Sequence, residues 1–216
     1  MSTPPADRPA AAPPAGPLTA GSLCTGYGGL DLAVMAVTGA RLAWCAETDR
    51  HAAAVLERRW PGVPNLGDVT ALDWPAVPPV DLVTAGWPCQ DISYAGPGAG
   101  ITEGTRSGLW LHIAHGLRRL RPSYVYLENV AALRTRGLGK VLGDLAALGY
   151  DAQWVCLRAS YAGAPHRRDR LLSVAVRPGT AARLAAAADA GCRELQRRGV
   201  DRVLDGAAGP AEEARP

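Results

Sequence analysis

Short apolar runs alternate with longer amphipathic stretches along most of the chain, beginning at about Leu18. Apolar runs of about four to eight residues, bounded by turn-forming residues, are typical of buried strands. The alternation therefore predicts strands at Ala20–Cys24, Arg41–Ala46, Val80–Ala85, Tyr124–Leu127, Gln153–Leu157 and Arg170–Val176.

The amphipathic stretches between these runs have the apolar spacing of helices that cover a sheet. They predict helices at Gly29–Val37, Asp49–Trp60, Ser107–Leu120 and Leu138–Leu148, with a short segment around Gly67–Val69 and a Gly-rich loop through Gly104. Strands that alternate with helices indicate an α/β fold with a mainly parallel sheet. The last two strands are close enough in sequence to form an antiparallel pair at the sheet edge.

The chain of 216 residues is long enough for one α/β domain and short for two. Residues 1–17 are rich in Pro and Ala and lack a basic start followed by an apolar run, so they are interpreted as a flexible leader. Residues 18–178 carry the α/β pattern. Residues 179–216 are predicted to form an appendage that is helix-prone to about Leu204 and polar at its end. No segment has the length and apolar character expected of a membrane span.

Five cysteines, an odd number without metal-ligand spacing, argue against a disulfide framework or a zinc site, and no other metal is expected. A reducing cytoplasm is the compartment that fits this cysteine usage best. The net charge of +3 allows a nucleic-acid partner without demanding one.

A thiol directly follows the third predicted strand, in the sequence Pro88-Cys89-Gln90. In a doubly wound sheet, reactive groups lie just beyond the carboxyl ends of the strands. Pro88 restricts the backbone on both sides and would hold the thiol in a defined direction. The alternative is that Cys89 is a small buried apolar residue, the usual place of a free cysteine.

A carboxyl group ends the fourth predicted strand at Glu128, followed by Asn129. A thiol and a carboxyl group at one sheet edge suggest covalent catalysis assisted by an acid. Arg168 and Arg170 are two residues apart, so an extended backbone directs both to the same face. The alternatives are an arginine-paired acid at Glu128, a turn-forming Asn129 and a basic surface hairpin.

A Gly-rich turn, Cys24-Thr25-Gly26-Tyr27-Gly28-Gly29, joins the first strand to the first helix. Such a turn lets the backbone approach a cofactor closely and lets a helix N-terminus face an anion. Glu47 follows about 20 residues on, where an acid can bind ribose hydroxyls, and Asp68 could accept from an adenine amino group. Alternatively, both are solvated loop acids.

With the Gly-rich turn, Pro88-Cys89-Gln90, Glu128-Asn129-Val130 and Pro165–Arg170 in this order, the chain resembles the DNA (cytosine-carbon-5) methyltransferases that use S-adenosylmethionine. The resemblance covers about Leu18 to Val176, and the segment Arg106–Leu109 is similar to an intermediate motif that helps to bind the cofactor. It implies a Rossmann-like S-adenosylmethionine-dependent methyltransferase fold, with DNA as the partner.

Carried over by position, the resemblance implies Cys89 as the nucleophile, Glu128 as the group at ring nitrogen 3, and Asn129 as its organiser. It implies that Arg168 and Arg170 surround the pyrimidine and the nucleophile loop. The cofactor contacts that it implies are Cys24, Thr25, Gly26, Gly28, Gly29, Glu47, Asp68, Pro88 and Leu109.

The main departure from the family lies after Val176, where about forty residues stand in place of a target-recognition region and a returning helix. The first expectation is therefore an enzyme that is minimal or that needs a second polypeptide for target recognition. The alternative is a truncated relic that retains cofactor or DNA binding without turnover. A methyltransferase acting on a small molecule would not need the thiol and the paired arginines together.

Overall fold

The structure is a computed structural model that describes residues 16–88 and 108–197. The predicted nucleophile Cys89, Arg106 and the predicted Gly-rich loop through Gly104 lie outside the described residues. Within those ranges the strands are β1 (Thr19–Leu23), β2 (Arg41–Ala46), β3 (Leu82–Ala85), β4 (Tyr124–Val130), β5 (Asp151–Arg158) and β6 (Asp169–Val176).

The helices of the described ranges are α1 (Gly29–Thr38), α2 (Arg50–Arg59), α3 (Leu109–Leu120), α4 (Leu133–Arg136), α5 (Leu138–Ala147) and α6 (Ala181–Arg197). The side chain of Asp49 caps α2 by accepting from the backbone N–H groups of His51 and Ala52, which fixes where that helix begins. Three of the predicted helices are confirmed, α1, α2 and α5, and the described part of the helix predicted at Ser107–Leu120 is α3. The single-turn helix α4 was not predicted from the sequence.

The strands form one sheet in the order β2-β1-β3-β4-β6-β5. Strands β1 to β4 are parallel, and β6 runs antiparallel to both β4 and β5. The prediction of a mainly parallel sheet with an antiparallel edge hairpin is therefore confirmed. Strand β4 continues past Leu127 because β6 pairs with it as far as Val130 opposite Arg170, so Glu128 and Asn129 lie within the strand.

The predicted short segment around Gly67–Val69 forms no strand. Its neighbour Asn65 instead makes a single parallel bridge to Cys45 of β2. Two backbone bonds form this bridge, from Cys45 N to the Pro64 carbonyl (3.0 Å) and from Leu66 N to the Cys45 carbonyl (2.7 Å). The chain therefore runs beside the end of β2 before it turns away.

Apolar side chains fill both faces of the sheet, as expected when helices cover a parallel sheet. One cluster lies against α3 and α5 and includes the fully buried Trp110, Ile113 and Leu145. The other lies against α1 and α2 and includes Val34 and Leu56.

Helix α6 packs beside α1. The Tyr124 hydroxyl donates to the Thr180 carbonyl (2.5 Å), and Arg183 pairs with Asp81 at 2.6 Å. Helices α6 and α1 approach so closely at Gly191 that a Cβ there would overlap the Val37 carbonyl. The helix that the sequence predicts beyond residue 178 is thus docked on the sheet domain.

Strand β5 lies at one edge of the sheet, and its apolar residues Trp154, Val155 and Leu157 are 42–47% exposed. Next to it lies an open apolar groove of about 400 Å³. Residues of α1 and of β4, β6 and β5 line this groove. Across residues 16–88 and 108–197, no helix combines the length and apolarity that a membrane span requires.

Candidate active site

A cavity of about 350 Å³ lies at the carboxyl ends of the parallel strands. The segments that leave β1, β2, β3 and β4 all reach it, because parallel strands end at one edge of the sheet. Its described lining consists of Cys24, Gly26, Ala46, Glu47, Thr48, Gly67, Asp68, Val69, Gly86, Trp87, Pro88, Leu109, Glu128, Asn129, Val130 and Arg170.

This lining joins residues from both groups that the sequence singles out. From the cofactor group it contains Cys24, Gly26, Glu47, Asp68, Pro88 and Leu109. From the catalytic group it contains Glu128, Asn129 and Arg170. Cys89 lies outside the described residues and directly follows Pro88.

Four candidate residues lie away from this lining. The Thr25 hydroxyl is turned into the protein and donates to the Ser22 and Ala46 carbonyls (3.3 and 3.4 Å). Gly28 lies at the start of α1 with φ 75°, where a Cβ would come within 2.6 Å of the Trp60 ring. Gly29 is the first residue of α1, and Arg168 is exposed just before β6. The roles that the resemblance implies for these four residues stay predictions.

The carboxylate of Glu47 ties the exit of β2 to the Gly-rich turn. One oxygen accepts from the Gly26 N–H at 2.6 Å and the other from the Asp49 N–H at 2.8 Å. Gly26 has φ 54°, and the position of its absent Cβ faces open space. A ligand can therefore approach the backbone closely at Gly26.

The side chain of Asn65, which the sequence interpretation did not assign to the site, holds Glu47 from the other side. Its Oδ1 accepts from the Glu47 N–H (3.0 Å), and its Nδ2 donates to the Glu47 carbonyl (3.0 Å). The sole sequence signal was that Asn65 is one of only two asparagines in the chain.

Two acidic groups give this end of the cavity a negative character. Asp68 lines the cavity, and its Oδ1 accepts from the Thr70 N–H and hydroxyl, both at 2.8 Å. Burial, together with the negative charges of Glu47 and Asp68, raises the pKa of the Cys24 thiol to about 12. Cys24 is therefore a neutral thiol near pH 7.

An ion pair forms the other end of the cavity. The Nε of Arg170 lies 2.6 Å from Oε1 of Glu128, and both side chains are about a quarter to a third exposed (26% and 30%). The second oxygen of Glu128 faces Gly86, where a Cβ would lie 3.4 Å from it. This ion pair agrees with the alternative that Glu128 is an acid paired with an arginine. It also fixes the Glu128 carboxyl group on the cavity wall.

Asn129 lies beneath this wall, and only 2% of its surface is exposed. Its Nδ2 donates to the Trp87 carbonyl (3.1 Å), and its Oδ1 accepts from the Val130 N–H (2.9 Å). Trp87 packs in turn against Trp110, with ring centroids 5.2 Å apart. Asn129 thus holds the segment that leaves β3, whereas the resemblance implied that it organises Glu128.

The two ends of the cavity suit different ligand groups. Carboxylates at Glu47 and Asp68 accept hydrogen bonds from hydroxyl or amino groups and attract a cation. The Glu128–Arg170 pair can hydrogen-bond a heterocycle and stabilise negative charge on it. Within the described ranges, no three His, Cys, Asp or Glu residues cluster as metal ligands.

Comparison with known proteins gives a family match over most of the chain. A family model described as C-5 cytosine-specific DNA methylase matches residues 18–205. The chain is 35% identical over 156 residues to the type II methyltransferase M.NgoBI of Neisseria gonorrhoeae, covering 70% of this chain and 48% of that protein. It is 34% identical over 162 residues to the type II methyltransferase M2.BsuMI of Bacillus subtilis, covering 71% of this chain and 41% of that protein.

Solved structures share the fold. The structure of a DNMT2 variant of Spodoptera frugiperda superimposes with a TM-score of 0.62 at 20% identity, covering 75% of this chain and 50% of that one. The chain therefore spans about half the length of the relatives that it matches.

Proposed function

Because this chain belongs to the C-5 cytosine-specific DNA methylase family, we propose that it transfers a methyl group from S-adenosylmethionine to carbon-5 of cytosine in DNA. The observation that carries the proposal is the single cavity that joins the acidic end at Glu47 and Asp68 to the ion pair of Glu128 and Arg170. Pro88, the residue before Cys89, lines the same cavity.

The residues of the acidic end fit S-adenosylmethionine. Glu47 would accept from the ribose hydroxyls and Asp68 from the adenine amino group, while both negative charges favour a sulfonium cation. The absent Cβ of Gly26 leaves space for the ligand beside the backbone. The cavity volume of about 350 Å³ falls in the usual range for small-molecule sites. When bound, S-adenosylmethionine supplies an electrophilic methyl group.

The residues of the other end fit cytosine. The Cys89 thiolate would add to carbon-6, which makes carbon-5 nucleophilic and moves negative charge towards ring nitrogen 3. A protonated Glu128 would donate to that nitrogen, and Arg170 would hold the carboxyl group in place. A donor placed in this way contributes roughly 2.7 to 4 kcal/mol, by analogy with oxyanion-hole groups. Once carbon-5 has taken up the methyl group, loss of the carbon-5 proton to a base and cleavage of the carbon-6–sulfur bond restore the ring and release the Cys89 thiolate.

Cytosine inside a duplex cannot enter such a cavity, so the base must be flipped out at a cost of a few kcal/mol. Base flipping requires protein contacts with DNA around the target. We propose that a second polypeptide supplies these contacts and with them target recognition. The open apolar groove beside α1 offers surface for such a contact.

The test is to incubate the purified chain with S-adenosylmethionine and mixed-sequence DNA containing 5-fluorocytosine. Fluorine at carbon-5 blocks the final elimination and traps the protein on the DNA. The expected result is an adduct that intact-mass spectrometry and peptide mapping assign to Cys89, with Cys89→Ala as the matched control.

Four outcomes separate the hypotheses. An adduct would establish that the chain is active alone. Cofactor binding without an adduct would direct the search to a partner polypeptide that restores trapping. An adduct in Cys89→Ala would contradict the role of Cys89. A chain that forms no adduct and binds no cofactor would contradict the proposed function.

A further inference from the structure

We propose that Asn65 is a positioning residue that fixes Glu47 and Asp68 relative to each other, and so sets the cofactor affinity of the cavity. This inference rests on the proposed function, in which the acidic end of the cavity binds S-adenosylmethionine. Asn65 itself is not part of the cavity lining, so it would act through the two acids.

The backbone pairing of β2 stops just before Glu47. Beside β2, the chain makes one bridge, at Cys45 opposite Asn65. Glu47 lies two residues beyond that bridge, past the end of β2 at Ala46. Without further contacts, the backbone at Glu47 would not be held by the sheet.

The side-chain amide of Asn65 supplies the missing contacts. It accepts from the Glu47 N–H and donates to the Glu47 carbonyl, both at 3.0 Å. This pair of bonds holds both polar groups of the Glu47 backbone. Glu47 is then able to direct its carboxylate at Gly26 and Asp49.

The same side chain also shapes the approach to Asp68. Oδ1 of Asn65 accepts a second bond from the Gly67 N–H at 3.1 Å, which closes an Asx turn. Gly67 has φ 78°, a conformation that favours glycine. Asp68 follows immediately, so one amide group holds both the Glu47 backbone and the turn that presents Asp68.

No other side chain of this length has both a donor and an acceptor. Aspartate would keep the acceptor for Glu47 and Gly67 but lose the donor, and alanine would lose both. Asn65 is exposed. Its bonds therefore compete with water, and its removal should affect the geometry of the site more than the stability of the fold.

The experiment is calorimetric titration of S-adenosylmethionine into the purified chain and its variants. We expect Asn65→Ala to bind about tenfold more weakly, and Asn65→Asp to retain more affinity than Asn65→Ala. The melting temperature without ligand should change by less than about 3 °C in each case. Amide hydrogen exchange at Glu47 and Gly67 should become faster in Asn65→Ala. Asp73→Ala, an exposed acid in the same segment outside the cavity lining, is the matched control and should bind as the wild type does.

A double-mutant cycle tests whether Asn65 acts through Glu47. If it does, adding Asn65→Ala to Glu47→Ala should weaken binding further by much less than tenfold. The inference would be overturned if the affinity losses of the two single variants multiplied in full in the double variant, or if Asn65→Ala bound with wild-type affinity. Either result would leave the proposed function intact. A wild-type chain that binds no S-adenosylmethionine would instead overturn the proposed function and this inference with it.

Discussion

The side-chain amide of Asn129 donates to the backbone carbonyl of Trp87 across 3.1 Å. Strand β4 thereby holds the segment that leaves β3, two residues before Cys89. The adjacent residue, Glu128, lies on the wall of the cavity. One buried hydrogen bond thus links the segment that leads to Cys89 with the strand that carries Glu128.

We expect Asn129→Ala to lower the rate of methyl transfer about tenfold or more, because the Trp87 carbonyl loses its buried donor. Cofactor affinity should change little, since Asn129 contacts neither Glu47 nor Asp68. Single-turnover rates and calorimetric affinities measure the two effects separately. Asn65→Ala is the natural comparison, because it should weaken cofactor binding instead. Equal losses of affinity in both variants would contradict this division between the two asparagines.

We expect Arg170→Gln to lower methyl transfer about 10²- to 10³-fold, because Glu128 loses the cation that holds it on the cavity wall. The free energy of unfolding should fall by less than about 1 kcal/mol, since both partners are partly exposed. Single-turnover kinetics and urea denaturation measure these quantities.

Arg158→Gln is the matched control for the Arg170 prediction, because Arg158 forms an ion pair with Asp169 (3.2 Å) on the same hairpin, outside the cavity lining. We expect it to transfer methyl groups at nearly the wild-type rate. Similar rate losses in the two variants would point to a general effect on the hairpin.

Cys24 should resist alkylation. Burial, with the negative charges of Glu47 and Asp68, raises its pKa to about 12, so the thiolate, which is the reactive form, is scarce at pH 8. We expect iodoacetamide to leave Cys24 unmodified in the folded protein and to modify it after denaturation in urea. Peptide mass spectrometry measures both states. Rapid modification of folded protein at pH 8 would show that Cys24 is more exposed than the structure indicates.

Asp31 should make stability fall as the pH rises. Burial raises its pKa above the usual 3.8, although the Thr84 hydroxyl donates to its carboxylate. Because the folded state holds the proton more tightly, this stabilisation is present below pH 3.8 and lost as the pH rises through the folded pKa. Each unit of pKa difference corresponds to about 1.4 kcal/mol. Denaturation at pH 4 and pH 8 should show Asp31→Asn gaining stability relative to wild type at the higher pH.

Asp49 provides a control of opposite sign for the Asp31 experiment. The Ala52 N–H, followed by that of His51, lowers its pKa at the start of α2. The wild type should therefore gain stability relative to Asp49→Asn as the pH rises through the usual range of an aspartate. A common pH trend in the two variants would contradict the assignment of the shifts to burial and to capping.

Much of the fold was predictable because its elements have strong local patterns. The strand Arg41–Ala46 was predicted with its observed bounds, since an apolar run lies between turn-forming residues. The extension of β4 to Val130 was not predicted, because it depends on pairing with β6 rather than on local sequence. The helix predicted over Asp49–Trp60 begins at Arg50 in the structure, because the Asp49 side chain caps it.

The candidate site was predictable where a side chain follows a strand, as with Glu47 and Glu128, because strand ends converge in this type of sheet. Asn65 was missed because its partner Glu47 is 18 residues away and no periodic pattern links them. The partner of Asn129 was also missed, since the contact with Trp87 spans 42 residues. Hydrogen bonds between residues far apart in the sequence become visible only in the tertiary structure.

The outer position of β5 has a consequence for the behaviour of the protein in solution. An edge strand offers unpaired backbone groups to another chain, and here Trp154, Val155 and Leu157 expose apolar surface beside them. Asp151 and Arg158, at the two ends of the strand, place charges that oppose such pairing. Self-association should therefore begin in the uncharged middle of β5, and the concentration at which copies of the chain start to associate should depend on that short stretch.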